Sequence, residues 1–167
     1  MIRIWIKYSI MFISLVLIQV LILNFIQFSG YINPYMYILF ILLLPVSTPR
    51  YLIVILGFVL GLVIDIFSNT IGMHASATTF MAFARPFVIE LISAREMDKS
   101  EYPGLNQYGF QWFLYYSAIL VVLHHIFFFY VEAFTFMNFI YTFIRSILSS
   151  IFSIFIIVLS QYLVFRE

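Results

Sequence analysis

A succession of long apolar runs makes up most of this chain and limits what it can fold into. Of its 167 residues, 65% are hydrophobic and 9% are charged, whereas soluble domains contain about 25% charged residues. A water-soluble core in so short a chain cannot hide this much apolar surface. Since a helix crosses a bilayer with about 20 apolar residues, we expect an all-α integral membrane protein, with residues 1–167 as one transmembrane domain.

The runs predict a bundle of about six transmembrane helices, at residues 8–28, 35–46, 51–67, 73–92, 110–134 and 140–165. The first run is too long for the apolar region of a signal peptide and no small-residue cleavage site follows it, so we expect an uncleaved helix. The second run is the shortest, because about 12 helical residues reach only about 18 Å. A re-entrant segment is the alternative for residues 35–46. A mixed-charge polar connector is expected at 93–109.

Basic residues near the ends of the runs predict the orientation. If residues 35–46 cross the membrane, seven of the eight basic residues fall on one side: Arg3, Lys7, Arg50, Arg85, Arg95, Lys99 and Arg166. Arg145 falls on the other side. Because short cytoplasmic loops carry the excess of Lys and Arg, we expect both termini in the cytoplasm.

Gly57, Gly61 and Asp65 follow one another at four-residue intervals in "GFVLGLVID". On a helix they drift by only about 40° per step and share one face, to which Ser68 returns. Glycines let a neighbouring helix approach closely. Together with Gly72 these residues are candidates for helix packing or partner contact. Either they form a packing seam alone, or Asp65 also marks a polar contact or cavity near the outer surface.

The fourth run contains two charged residues, Arg85 and Glu90. For Arg85 and Glu90 we expect interfacial anchors or a local ion pair, with the guanidinium extended toward the headgroups. Glu132 and Arg145 flank a short hairpin and are expected to form a salt bridge at the membrane edge.

Histidines occur at three places in the runs. His124 and His125 fall within the fifth run, where we expect hydrogen bonds to neighbouring helices. A metal site there is weakly indicated, because the usual HxxxH and ExxH spacings are missing. His74 opens the fourth run, where a wet interface is expected to satisfy it. An interfacial aromatic belt is expected at Tyr31, Tyr35, Tyr37, Tyr102, Tyr108 and Trp112.

Catalytic and cofactor motifs are missing from the sequence. It contains no HExxH, GxGxxG or phosphate-binding loop, and no cysteine. We therefore expect a protein that is not an enzyme, with no cofactor, no metal and no nucleic-acid partner.

The specific part of a family resemblance lies between residues 44 and 84. Leu44-Pro45, Arg50 and "GFVLGLVIDIFSNTIGMHASATTFMAFA" resemble the MreD family of bacterial rod-shape-determining membrane proteins. The length and the six-span layout also agree, so the resemblance covers essentially the whole chain. The matching positions are Pro45, Arg50, Gly57, Gly61, Asp65, Ser68, Thr70, Gly72 and Ala75.

The resemblance implies a non-enzymatic scaffold of the cell-wall elongation machinery, which determines rod shape through lateral peptidoglycan synthesis. It implies a multi-pass protein of the bacterial cytoplasmic (inner) membrane, in contact with lipid. Its direct partner would be an MreC-like protein. MreB, the RodA glycosyltransferase and a class B penicillin-binding protein would be indirect partners. The Gly57–Asp65 face is then expected to help hold the MreC-like partner or the protein's own outer loops.

The MreD family is also similar in fold to the substrate-binding components of energy-coupling-factor transporters. The alternative function is therefore a substrate-binding membrane component of a small-molecule, vitamin-type transporter. A scaffold predicts apolar helix surfaces and no enclosed ligand cavity. A transporter component predicts a pocket near the outer face, lined by polar and aromatic groups.

Overall fold

The chain folds into a bundle of long helices joined by short turns. The computed structural model describes residues 2–26, 32–93, 103–134 and 138–164. Within these ranges five helices are long and apolar enough to cross a membrane: Trp5–Phe25, Arg50–Ser68, Met73–Ile92, Phe110–Ala133 and Phe139–Leu163. The predicted all-α, multi-pass membrane bundle is therefore confirmed.

In chain order the helices are α1 (Ile2–Leu21), α2 (Leu39–Leu42), α3 (Arg50–Ser68), α4 (Met73–Ile92), α5 (Leu105–Tyr108), α6 (Phe110–Ala133) and α7 (Phe139–Val164). A short 3-10 helix, Leu23–Phe25, follows α1. Most of the connector predicted at 93–109 falls on residues 94–102, which lie outside the described residues.

Contacts between helix ends show how the bundle is arranged. Arg50 at the start of α3 bonds Glu90 near the end of α4, and Asp65 near the end of α3 bonds the first turn of α4. The helices α3 and α4 are therefore antiparallel. The helices α6 and α7 are antiparallel as well, since Glu132 near the end of α6 bonds Arg145 near the start of α7. We call the two ends of the bundle the Arg50 end and the Asp65 end. In the orientation predicted from charge, the Arg50 end is cytoplasmic.

The turn between α3 and α4 uses two residues with left-handed backbone. Asn69 ends α3 with a φ of 55°, and Gly72 precedes α4 with a φ of 73°. Asn and Gly are the residues that adopt this conformation most readily. The chain therefore reverses within four residues, and the two helices lie side by side along their whole length.

Residues 33–44, here called the crossing segment, run through the centre of the bundle from the Asp65 end to the Arg50 end. α1 and α3 point the same way, because Asn24 after α1 bonds Ser68 at the end of α3. The chain must therefore return between them. It does so with one short helix, α2, preceded by non-helical backbone.

Residues of the second predicted span thus run from one end of the bundle to the other, but they do not form a continuous helix. Only Leu39–Leu42 are helical, and residues 37–44 are all buried. Non-helical backbone is tolerated at membrane depth only where protein surrounds it and satisfies its polar groups. Several polar side chains of the long helices bond these groups, among them Gln19, Arg85, Tyr116, Ser149 and Ser153.

Candidate functional site

The two glycines of α3 face α4 and set how closely the helices pack. A Cβ built on Gly57 would lie 2.8 Å from Ala82 Cβ, and one built on Gly61 would lie 2.5 Å from Ala75 Cα. Ordinary carbon contacts begin near 3.4 Å. Neither position has room for a side chain, so this face of α3 is a packing seam against α4.

Asp65 caps the first turn of α4 from the neighbouring helix. Its carboxylate accepts the backbone N–H groups of His74 (3.0 Å) and Ala75 (2.8 Å), and the hydroxyl of Thr70 (2.6 Å). The first N–H groups of a helix have no partner within the helix, and a carboxylate there also complements the helix dipole. Asp65 is 3% exposed. It therefore holds the protein's own turn.

Ser68 and Gly72, the other two candidates for helix packing or partner contact, lie at the edge of the α3–α4 seam. Ser68 Oγ accepts the side-chain amide of Asn24 at 3.0 Å and so joins α3 to the end of α1. Gly72 is exposed, next to Ile71, which is 97% exposed. Of the five candidate residues, Gly72 lies nearest to a surface that a partner can reach.

Side chains from α1 and α7 hold the first half of the crossing segment. Gln19 accepts the N–H of Met36 (2.8 Å) through Oε1 and donates to Pro34 O (3.0 Å) through Nε2. Ser153 Oγ accepts the N–H of Tyr35 at 2.9 Å. Serines and glutamines inside spanning helices thus replace the backbone partners that a helix would have supplied.

Arg85 and Tyr116 hold the second half. The Tyr116 hydroxyl donates to Leu42 O at 2.9 Å, and Arg85 donates to Tyr116 (2.7 Å, from Nε) and to Leu44 O. The carbonyl groups at the C-terminus of α2 form the negative end of its helix dipole, where a positive charge is favourable. Arg85 therefore closes the Arg50 end of the crossing segment.

The prediction of an interfacial Arg85 was wrong. Its side chain is 1% exposed, and Glu90 pairs instead with Arg50 at 2.8 Å on the surface. The guanidinium turns inward because the crossing segment offers carbonyl oxygens at membrane depth, a feature that a continuous second helix would not have had.

A hydroxyl of the crossing segment joins two histidines. Tyr37 Oη lies 2.9 Å from His74 Nδ1, 2.8 Å from His124 Nε2 and 3.3 Å from Thr78 Oγ1, which donates to it. His74 is buried, so the prediction that a wet interface satisfies it was wrong. His124 lies within the bundle and bonds another segment, as expected.

One unpartnered nitrogen of His124 decides where the hydrogens lie in the hydrogen-bonded series His124–Tyr37–His74. His124 Nδ1 is buried and has no partner among the described residues. A bare lone pair is tolerated there better than an orphaned N–H. His124 therefore donates from Nε2 to Tyr37, Tyr37 donates to His74 Nδ1, and the hydrogen of His74 is on Nε2.

His125 supports the crossing segment from the other side. Its Nδ1 donates to Val121 O (2.8 Å), and its Nε2 lies 3.0 Å from the Ser153 hydroxyl that holds Tyr35. Within the described ranges no group of three His, Asp or Glu side chains is placed to hold a metal ion. All three histidines form hydrogen bonds within the core, His74 and His124 with Tyr37 and His125 with Val121 O and Ser153.

Tyr35 and Tyr37 do not belong to the interfacial belt, and this prediction was wrong. Both are buried, and the Tyr35 ring packs against His74, His125 and Phe128 at centroid distances of 5.0–5.2 Å. The Tyr108 and Trp112 rings pack against each other at the Arg50 end, with centroids 4.7 Å apart and planes tilted by 36°. Tyr31 and Tyr102 lie outside the described residues.

A pocket of about 440 Å³ opens at the Asp65 end, and we call it the mouth pocket. Its lining combines polar and aromatic side chains: Asn24, Asn33, Tyr35, Phe67, Ser68, Thr70, His74, Phe128 and Glu132, among others. Asn33 Oδ1 is buried and unpartnered among the described residues. On the rim, Glu132 forms the predicted salt bridge with Arg145 at 2.8 Å.

An open apolar groove of about 590 Å³ lies at the Arg50 end, between α1 and α3. We call it the α1–α3 groove. Its lining is mostly apolar: Trp5, Tyr8, Ser9, Phe12, Ile13, Phe40, Leu44, Pro45, Ser47, Thr48, Pro49, Leu52 and Leu56. The outward face of α1 continues it with exposed large side chains, of which Trp5 is 68% exposed.

Sequence reasoning missed the polar residues that hold the crossing segment: Gln19, Tyr116, Ser149 and Ser153. A signal was available, because polar side chains inside apolar runs usually mark partners buried in the bundle. Comparison with family models, curated proteins and solved structures found no match for this chain.

Proposed function

We propose that this protein is a non-enzymatic scaffold of a bacterial cell-wall elongation machinery and binds an MreC-like partner in the cytoplasmic membrane. The resemblance of residues 44–84 to the MreD family supports the proposal. So does the use of the shared residues, since Gly57, Gly61 and Asp65 build the structure rather than a reactive centre. MreB, RodA and a class B penicillin-binding protein are indirect partners.

The observation that carries the scaffold proposal is the apolar surface of α1 and the groove beside it. In the 18-residue window of α1, 22% of the residues are buried, against 33% for α3 and α7 and 44% for α4 and α6. A helix at the edge of a bundle with an open groove next to it can receive a transmembrane helix of another protein through close packing. The partner surface is thus assigned to α1, not to the covered Gly57–Asp65 face.

Site-specific crosslinking tests this surface. A photocrosslinking residue at Ile13, in the groove, should capture the MreC-like protein in native membranes. The same residue at Ile151, exposed on α7, should not. A large side chain in the groove, Ser9→Phe, should reduce co-purification of the partner, whereas Leu159→Phe on α7 should leave it unchanged. Equal capture from both helices, or unaltered co-purification of the Ser9 variant, would refute the assignment.

The orientation is part of the proposal, with the Arg50 end and both termini in the cytoplasm. The chain has no cysteine, so single cysteines can be introduced without a background. Ile71→Cys at the Asp65 end should react with an impermeant maleimide added to intact spheroplasts. Ser47→Cys, exposed at the Arg50 end, should react only after lysis. The reverse pattern would invert the topology.

A second candidate function is supported by the mouth pocket. A substrate-binding component of a small-molecule transporter requires a pocket near the outer face with polar and aromatic lining. The mouth pocket has such a lining and lies at the Asp65 end, which is the outer end in the proposed orientation. Pockets of about 300–1,000 Å³ are typical of small-ligand sites. Purification from native membranes tests this candidate, because a transporter component should retain a small solute that mass spectrometry detects after denaturation.

A further inference from the structure

We infer that the α1–α3 groove holds one acyl chain of a phospholipid from the leaflet at the Arg50 end, with the phosphate of that lipid at the mouth of the groove. The inference deepens the proposed function and rests on it in one respect only, which is that both concern the same groove. The lipid occupies the groove in protein that has not bound its partner.

The groove is one leaflet deep. Its lining covers residues 5–13 on the side of α1 and residues 49–56 on the side of α3. Eight steps along a helix cover about 12 Å, and one leaflet contributes about half of a hydrocarbon core that is about 30 Å thick. At the Asp65 end the two helices are tied together, because Asn24 donates to Ser68 at 3.0 Å. A chain that enters from the leaflet at the Arg50 end therefore matches the groove in length, whereas a spanning helix extends beyond it.

The crossing segment forms the inner wall of the groove through Phe40 and Leu44. It also holds α1, since the Phe12 ring packs edge-to-face on Phe40 at a centroid distance of 5.3 Å and Tyr8 Oη donates to Leu43 O at 3.3 Å. These contacts fix α1 to the crossing segment and leave the space between α1 and α3 open. Apolar walls that face an empty space lose their dispersion contacts, so hydrocarbon from the bilayer fills it.

Polar groups at the mouth define the other part of the ligand. Ser47 and Thr48 line the groove just before α3, and neither side chain bonds another described residue. Trp5 lies at the same end, and its indole N–H can only donate. Phosphate oxygens accept strong hydrogen bonds from such donors. Lys7 is exposed at this end of α1 and the Arg50–Glu90 pair is neutral, so the charge here favours an anionic headgroup.

Lipid titration of the delipidated, purified full-length protein in detergent tests the inference, with native mass spectrometry as the measurement. Dioleoylphosphatidylglycerol should occupy one saturable site. Dioleoylglycerol has the same acyl chains without the phosphate and should bind at least tenfold more weakly, because the donors at the mouth lose their acceptor. Equal binding of the two lipids, or no saturable site for the first, would overturn the inference.

Variants place the lipid in the groove. Ser9→Phe fills the groove and should weaken phosphatidylglycerol binding by about tenfold, whereas Leu159→Phe, exposed on α7, should not change it. Ser47→Ala combined with Thr48→Ala should also weaken phosphatidylglycerol by about tenfold and leave dioleoylglycerol unchanged. Ser14→Ala, exposed on α1 outside the lining, is the matched control for lost hydroxyls. Unchanged phosphatidylglycerol binding in both groove variants would overturn the site.

The outcome is separable from that of the scaffold function. The Ser47 and Thr48 double variant removes contacts to the headgroup and keeps the apolar walls, so capture of the MreC-like partner from Ile13 should persist. Lipid selectivity on the isolated protein without any partner capture refutes the scaffold alone. Partner capture together with equal binding of the two lipids refutes this inference alone.

Discussion

The seam between α3 and α4 makes a prediction that separates its two glycines. Each glycine is replaced by alanine, and the facing alanine of α4 is replaced by glycine, which gives two double-mutant cycles. The cycles are Gly57→Ala with Ala82→Gly, and Gly61→Ala with Ala75→Gly. The purified protein is unfolded reversibly with SDS in mixed micelles, and the free energy of unfolding is measured for every variant.

The size of each effect follows from the space at the glycine. A Cβ on Gly61 meets backbone atoms of α4 at 2.5–2.6 Å, so α4 must retreat by about 0.9 Å to reach an ordinary contact. That retreat also lengthens the bonds from Asp65 to His74 and Ala75. Overpacking costs about 1–3 kcal/mol, and with the loss of capping we expect about 3 kcal/mol for Gly61→Ala. Gly57→Ala should cost about 1–2 kcal/mol.

The two cycles should differ in their coupling energy. At Gly57 the nearest atom is the side-chain carbon of Ala82, at 2.8 Å, and Ala82→Gly removes it; the Thr78 carbonyl oxygen at 3.0 Å stays, so the relief is partial. We expect a favourable coupling of about 0.5–1 kcal/mol there. At Gly61 the neighbours are backbone atoms, so Ala75→Gly relieves nothing and the coupling should be near zero. Equal coupling in the two cycles would refute the packing argument.

Three further substitutions test the buried polar groups by the same unfolding measurement. Asp65→Asn should destabilise by about 2–3 kcal/mol, because an amide nitrogen then faces backbone N–H groups. If the loss of unfolding free energy is smaller than that of an exposed control such as Glu90→Gln, the capping role of Asp65 is contradicted. Tyr37→Phe should cost about 2–3 kcal/mol, because it leaves buried partners such as His124 without a bond, and a neutral result would refute the hydrogen-bond chain. Arg85→Lys should cost about 2 kcal/mol, since an ammonium cannot bond both Tyr116 and the crossing segment in the same geometry. An unchanged free energy of unfolding would show that the two-pronged guanidinium group is not needed.

The five long helices were predictable because their apolar runs match the thickness of a bilayer. The ends of α3, α4, α6 and α7 lie within one residue of the predicted runs, whereas α1 begins six residues and ends seven residues before its predicted run of 8–28. The Glu132–Arg145 pair was predictable from its position beside a hairpin. Nothing beyond length and hydropathy is needed for these features.

The crossing segment was not predictable in this form. Its run, residues 35–46, is apolar enough for a spanning helix, and only its length pointed to something else. Whether a short apolar run forms a helix depends on what the surrounding helices offer its backbone. Here the partners come from α1, α4, α6 and α7, at sequence separations of 15 to 118 residues. Polar residues inside apolar runs indicate that a buried partner exists, but the local pattern does not identify which segment supplies it.

The errors at Arg85 and His74 share this cause. Both were assigned to the membrane edge because isolated polar residues in a helix are cheapest there. Both instead turn inward, to Leu44 and to Tyr37 of the crossing segment. The position of a polar side chain in a spanning helix depends on where its hydrogen-bond partner lies. An irregular central segment offers backbone partners in the middle of the bundle, where a regular helix offers none.

The buried polar residues also bear on function, because most of them are already used. Gln19, Ser153, Tyr116 and Arg85 each bond the backbone of the crossing segment, and Asp65 bonds the backbone of α4. A group that satisfies a backbone at membrane depth cannot leave it without a cost of several kcal/mol. These side chains are therefore poor choices for chemistry that moves protons or substrates. The surfaces that stay open to other molecules are the groove beside α1, the exposed apolar faces of α1, α3 and α7, and the mouth pocket.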